Sequence, residues 1–350
     1  MLPPLWIMVP KALRWFNWRY SLPRTWLSSI KILMGLKKVQ ASSGKVVITC
    51  SISEDYARLW VYFASTLKHS GWKVVVVDSA GDMTLSKLGD VELIRFANLY
   101  HGRKVDIMIK TTITSPIIFL CDDDKFILSD PTDNPIINSA LQNPQVAAVS
   151  LSPRRWWWFE IKGKKYLPMG SYAIIFKRDI FIRHRLTFQS PRGLRSRHKV
   201  FAEEVKHQPG YDTADYANER LLLLGYNIIT LPENDYIIGF DGLSAPRILL
   251  LRYGKKYVKQ ALLEATHFRE GSINGAVIKG CYGIVKLEKL YQKIFNESPR
   301  FVSGFTEEEL IDIVQKNPNI DEDQYKKLMS YFEKIDVIEK RLYQHAQERH

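Results

Sequence analysis

Ile117-Ile118-Phe119-Leu120-Cys121-Asp122-Asp123-Asp124 carries five apolar residues directly into three carboxylates. A short, wholly apolar run set off by Ser115-Pro116 reads as a strand buried on both faces, as in the middle of a parallel sheet. The runs upstream repeat the pattern. Lys45 to Ser51 is rich in β-branched residues, and Trp72 to Asp78 contains four consecutive valines and ends on an aspartate. Between them, Asp55 to Ser70 spaces its apolar residues for a helix and stops at Gly71, a natural C-cap. Strand, helix, strand in this order makes a parallel unit with a right-handed crossover, and ligands of such sheets bind at the carboxyl ends of the strands.

Downstream, Val91 to Phe96 reads as a short strand and Arg103 to Thr114 as a helix. Pro144 to Leu151 and Tyr166 to Lys177 read as strands, Asp215 to Leu224 as a helix ending at Gly225, and Asn227 to Leu231 as a further strand. Beyond Phe305 the pattern is helical. Thr306 to Glu309 resembles a capping box, and Gln324 to Ala346 is amphipathic. These elements predict a basic segment over 1–44, an α/β domain over 45–300 and a helical extension over 301–350.

The chain has 350 residues, 46% of them hydrophobic, which is enough for a sizeable core. Its formal charge of +13 and pI near 9.4 imply attraction to anions. The positive charge is concentrated at the start, where no acidic residue precedes Glu54, and again around Arg183 to Lys199. Neither stretch matches a DNA-reading motif, so nucleic acid is not the expected partner. The cysteines Cys50, Cys121 and Cys281 are far apart and form no CxxC pair, which suits buried free thiols in a reducing cytoplasm. From Met1 to Gly35, tryptophans alternate with basic residues and prolines. No apolar span of membrane-crossing length occurs there and no cleavable leader is expected. The segment reads either as an interfacial contact with an anionic membrane, on the inner face of the plasma membrane, or as a strap packed on the protein's own core.

Three adjacent carboxylates at a strand end repel one another and lose hydration unless a cation is present. Hard oxygen ligands on a tight turn suit Mg²⁺ or Mn²⁺, which can also hold two phosphates of a nucleotide. Here the chain resembles the GT-A glycosyltransferases, a Rossmann-like nucleotide-binding mixed sheet flanked by helices, and within them the large inverting family. The resemblance covers roughly residues 45 to 232. It rests on Val46 to Glu54, on Val74 to Asp82, and on Phe119 to Asp124 as the DxD element.

The resemblance implies a nucleoside-diphosphate sugar donor, a glycan or glycolipid acceptor, and inversion at the anomeric carbon. It places Ser51, Ser53 and Asp78 at the nucleotide, Asp122 at the ribose with Asp123 beside it, and Asp124 at the metal, which Asp122 and His267 also reach. Where the family often carries an arginine facing the diphosphate, this chain has Asp106, and only Arg103 and Lys104 offer positive charge nearby. Pro168 to Tyr172, with Gly170 and Ser171, resembles the acceptor-side segment. Trp157, within Trp156 to Phe159, is positioned to stack on a sugar ring, to enter a membrane or to close an aromatic corner. The stretch Asp212 to Tyr226 keeps the family's arginine-to-glycine spacing with its carboxylates shifted by one residue. Asp212 is thus the expected general base, Asp215 the next candidate, and Glu203 or Glu204 more distant ones. As an N-cap, Asp212 has an equally simple structural role.

Two rival readings use the same features. A nucleotidyltransferase would carry a Gly-rich phosphate loop after the first strand, and Cys50-Ser51-Ile52-Ser53-Glu54 has none. A basic nucleic-acid-binding protein would show salt-sensitive binding with no metal requirement.

Overall fold

The structure is a computed structural model. It describes residues 4–20, 25–153, 159–161, 163–167, 169–170, 172–189, 205–207, 213–231, 234–266, 268 and 272–349. Two compact units emerge, one of residues 21–237 and one in which residues 1–20 join 238–350. The first helix groups with the C-terminal helices.

The 21–237 unit begins with α2 (Trp26–Leu33), numbered after the α1 helix of the other unit. A seven-stranded mixed sheet follows. Its strands in chain order are β1 (Lys45–Ser51), β2 (Lys73–Asp78), β3 (Glu92–Arg95), β4 (Ile117–Cys121), β6 (Val146–Ser150), β9 (Ala173–Lys177) and β11 (Asn227–Thr230). In space they run β11-β6-β9-β4-β1-β2-β3. The short β5 (Lys125–Ile127) follows the aspartates, and β7 (Phe159–Ile161), β8 (Lys164–Tyr166) and β10 (Val205–His207) form a small antiparallel sheet. β1 pairs in parallel with both β2 and β4, β2 with β3, and β6 with β11. β9 alone is antiparallel, to both β4 and β6. The α/β mixed sheet expected from the sequence is thus present.

Side-chain alternation explains how the sheet is filled on both faces. Val46, Ile48, Val75, Val77, Ile118, Leu120, Ile174 and Phe176 share one core with Val105, Phe181 and Phe188. Their neighbours Val47, Val74, Val76 and Phe119 are equally buried on the other face. Helix α3 (Glu54–Ala64) is capped by Ser53, whose hydroxyl accepts from Tyr56 N–H at 3.4 Å. It tightens into a 3₁₀ turn over Ser65–Ser70 and ends at Gly71, with φ 81°. The short α4 (Leu85–Leu88) precedes β3. Helix α5 (His101–Ile107) loosens into a π-turn over Met108–Thr112. Then come α6 (Pro135–Gln142), α7 (Arg178–Arg183) and α8 (Asp215–Leu223).

The other unit contains α1 (Leu5–Tyr20), α9 (Ser244–Leu263), α10 (Ile273–Phe295), α11 (Glu307–Lys316) and α12 (Glu322–Gln347). On α1, the residues Leu5, Met8, Ala12 and Phe16 form a buried stripe at helical spacing. This helix packs on α9, with the Arg252 guanidinium over Trp15. The strap reading holds for that face, whereas Trp6 and Trp18 remain exposed. Tyr282 of α10 stacks on Phe332 of α12 with ring centroids 4.0 Å apart. Lys286 bridges Glu307 at 2.6 Å and Asp336 at 2.7 Å. The capping box at Thr306 and Glu309 forms as read. Among the described residues, no helix is long and apolar enough to cross a membrane.

Candidate functional site

In the order β3-β2-β1-β4 the winding of the sheet reverses between β1 and β4, and the carboxyl ends of strands at such a reversal are where open α/β sheets bind ligands. The aspartates stand there. Lys125 N–H donates to Asp122 O at 3.1 Å and closes a tight turn with Asp123 and Asp124 at its tip. Asp122 N–H donates to Tyr172 O at 2.8 Å, which extends the β4–β9 ladder into the turn. Asp123 and Asp124 are buried and Asp122 is half-buried.

Asp123 faces β1, where the hydroxyl of the fully buried Ser51 donates to its carboxylate. Ser51 Oγ also accepts from Ser53 N–H at 3.1 Å. The two serines expected at the nucleotide therefore shape the loop that turns β1 into α3. Asp78 is likewise fully buried. Its carboxylate accepts from Gly81 N–H at 2.6 Å and Met83 N–H at 3.1 Å, and Arg95 Nε lies 3.7 Å away. Burial raises the Asp78 pKa, against the pull of those two backbone donors. Its observed role is to fold the 79–83 loop at the strand ends.

Helix α5 brings two nitrogenous side chains to the same edge. Lys104 is buried, and its Nζ donates to Ser79 Oγ at 2.8 Å and approaches Asn98 Oδ1 at 3.4 Å. Burial lowers its pKa, while the Cys50 thiol and the carboxylates of Asp123, Asp122 and Asp78 act in the opposite direction. His101 opens the helix. Its Nε2 is covered, has no hydrogen-bond partner and lies 3.6 Å from Asp122 Oδ1. Burial and the neighbouring Lys104 push the imidazole down to about 3, so it is neutral near pH 7. Burial pushes the Cys50 thiol up to about 11 and leaves it protonated.

Of the other expected residues, Arg103 is exposed on α5. Asp106 is buried and accepts from Thr187 Oγ1, from Phe188 N–H at 2.8 Å and from Gln189 Nε2 at 3.1 Å. The carboxylate in the arginine slot thus fastens the 187–189 segment to α5. Gly102 fits the same junction, since a Cβ there would lie 2.4 Å from Phe188 O.

Met169 and Gly170 sit at the end of β6, where Ser150 Oγ donates to Met169 O at 2.6 Å. Asn218 of α8 accepts from Met169 N–H at 2.8 Å, so α8 is pinned to this segment. Gly170 has φ 50°, and a Cβ would lie 2.9 Å from Ser152 O. Asp215 is fully buried at the start of α8. Asp212, Glu203, Glu204, Ser171, Trp157 and His267 lie outside the described residues.

Sequence reasoning missed His101, Ser79 and Asn98. No motif marks them. Their only signal is position, as polar residues in loops or at a helix start just past a strand's carboxyl end.

The oxygen-rich side chains at this edge are the candidates for holding a cation. Asp122 and Asp124 offer carboxylates on one turn, and a neutral imidazole with an unpartnered nitrogen faces Asp122. Among the described residues, no group of three or more His, Cys, Asp or Glu side chains is arranged to hold a metal ion.

No family model matches the sequence, and no curated protein resembles it significantly. Among solved structures, the backbone is similar to an active-site mutant of LgtC at 11% identity, over 53% of this chain and 72% of that one, with a TM-score of 0.33. It is also similar to the galactosyltransferase LgtC in complex with donor and acceptor sugar analogues, at 9% identity over 62% and 95% of the two chains and a TM-score of 0.34. A third is the apo bifunctional glycosyltransferase WbbM, at 9% identity over 54% and 38%, with a TM-score of 0.30. At those scores the likeness carries no argument about this chain.

Proposed function

We propose that this protein is a metal-dependent glycosyltransferase that moves a sugar from a nucleoside-diphosphate donor to a glycan or glycolipid acceptor, with inversion at the anomeric carbon. The observation that supports this most is the convergence of the Asp122–Asp124 turn, His101 and Lys104 at the carboxyl ends of β1 and β4. Carboxylates that would otherwise repel one another face a buried ammonium and a neutral imidazole there.

In this reading Asp122, Asp124 and His101 would hold Mg²⁺ or Mn²⁺, which would supply positive charge to the diphosphate leaving group. Lys104 adds a fixed positive charge on the same side and requires no reorganisation during the reaction, because Ser79 and Asn98 already orient it. Asp78, Ser51 and Ser53 keep the loops that border the nucleotide in one shape. On the acceptor side, Asp212 or Asp215 takes the proton of the attacking hydroxyl as it closes on the anomeric carbon from the face opposite the diphosphate. Gly170 keeps the floor of that side free of a side chain.

Donor hydrolysis across a panel of nucleotide sugars, with and without Mn²⁺, tests the reading on wild type and Asp124→Ala. Metal-stimulated hydrolysis by wild type and its loss in the variant are expected. Equal, metal-independent turnover in both overturns the proposal. Proton NMR of the early transfer product reads the anomeric configuration, and retention would remove the base from the scheme.

A further inference from the structure

Helix α2 has its polarity reversed for a helix on a soluble domain. Its inward side carries Thr25 and Ser29 beside Ile32, all buried. Ser29 Oγ donates to Thr25 O at 2.9 Å and accepts from Ala97 N–H at 3.0 Å, while Ser28 Oγ donates to Arg95 O at 2.5 Å. The helix is thus held to the end of β3 by hydroxyl groups. Its outward side carries Trp26, Leu27, Ile30 and Leu33, continued by Met34 and Leu36, all between 40% and 68% exposed. A contiguous apolar surface of this kind on a domain with a formed core marks a contact site.

The charges around the patch identify what it contacts. Lys31 and Lys38 lie exposed, Lys38 also donating to Thr111 O at 2.7 Å, while Lys37 is paired with Glu92. The chain contains no acidic residue before Glu54, so the segment itself carries only positive charge. Tryptophan and long aliphatic side chains flanked by lysines suit the boundary between acyl chains and charged headgroups. We propose that α2 and the turn after it dock the protein on an anionic lipid bilayer, with the apolar side chains below the headgroups and the lysines among them.

The inference does not depend on the reaction chemistry, but it bears on where that chemistry occurs. Ala97, held by Ser29, precedes Asn98, which contacts Lys104. The docking helix is therefore connected to the candidate site through one short segment.

The test is flotation of the full chain with vesicles of phosphatidylcholine, alone or mixed with phosphatidylglycerol. Wild type floats with the anionic vesicles, less at high salt, and poorly with phosphatidylcholine alone. A Trp26→Ser, Leu27→Ser, Leu33→Ser variant binds about tenfold more weakly or worse, with an unchanged thermal transition because all three side chains are exposed. Lys31→Glu reduces the preference for the anionic lipid and retains the fold even if the triple variant does not. The proposal is overturned if wild type does not float, if the triple variant floats like wild type, or if Lys31→Glu leaves the lipid preference unchanged. It is also overturned if wild type is a dimer in solution that the triple variant converts to monomer, since that outcome makes the patch a protein interface.

Discussion

His101 Nε2 faces Asp122 Oδ1 across 3.6 Å with no hydrogen-bond partner of its own. That distance is too long for a hydrogen bond. In the proposed reading the two side chains would share a divalent cation. His101→Ala raises the Mn²⁺ concentration for half-maximal donor hydrolysis by about tenfold or more. The thermal transition moves little, because the lost nitrogen had no partner. A metal titration indistinguishable from wild type removes His101 from the site.

Lys104→Met tests the buried charge. Its removal lowers kcat/KM for donor hydrolysis by roughly a hundredfold, about 2.7 kcal/mol, as expected for a preorganised charge acting on a leaving group. Folding stability changes less, since the cost of desolvating the ammonium disappears with it. Isothermal titration with the nucleoside diphosphate gives the binding part separately. Equal affinity and rate would assign Lys104 a packing role.

Gly102→Ala sets a Cβ 2.4 Å from Phe188 O, and neither side of that contact is a flexible side chain. A loss of about 1–3 kcal/mol follows from overpacking a rigid junction. Asp106→Asn weakens three hydrogen bonds to 187–189 and gives a loss of similar size. Urea denaturation measures both, and a wild-type midpoint in either variant contradicts the junction described here.

Glu307 supplies a pH test in the helical unit. Burial raises its pKa, but Lys286 and Lys289 pull it below the ordinary 4.5. A carboxylate with a depressed folded pKa stabilises above 4.5 and loses that contribution as the pH falls through its folded value. Glu307→Gln is therefore less stable than wild type at neutral pH, and the difference closes in acid. Thermal transitions recorded from pH 7 to pH 3 follow it, and a pH-independent difference would contradict the ion pairs.

The parts of the fold visible in the sequence were those fixed by short-range pattern. β1 and β4 begin and end where their apolar runs do, and the aspartate turn follows directly from β4. The predicted 55–70 helix changes to 3₁₀ at Ser65, and the predicted 103–114 helix to a π-turn at Met108, because packing decides how the last turns close. α9 and α10 were not foreseen. α9 carries Pro246 and a non-helical Gly254 (φ 78°), and α10 is buried round much of its circumference, so neither shows a clean amphipathic stripe. The direction of β9 was equally hidden, since strand pairing is a tertiary fact. In the candidate site, the aspartates announced themselves by their cost. His101 did not, because only folding carries it across twenty-one positions to Asp122.

β9 enters the sheet at the rim where the other six strands leave it. The connection from β6 to β9 accordingly starts and finishes on one rim of the sheet. Insertions or deletions there leave the register of β1, β2 and β4 untouched. The architecture thus uncouples the two: the strands that carry Ser51, Asp78 and the aspartate turn keep their alignment whatever the length of chain spliced in between β6 and β9.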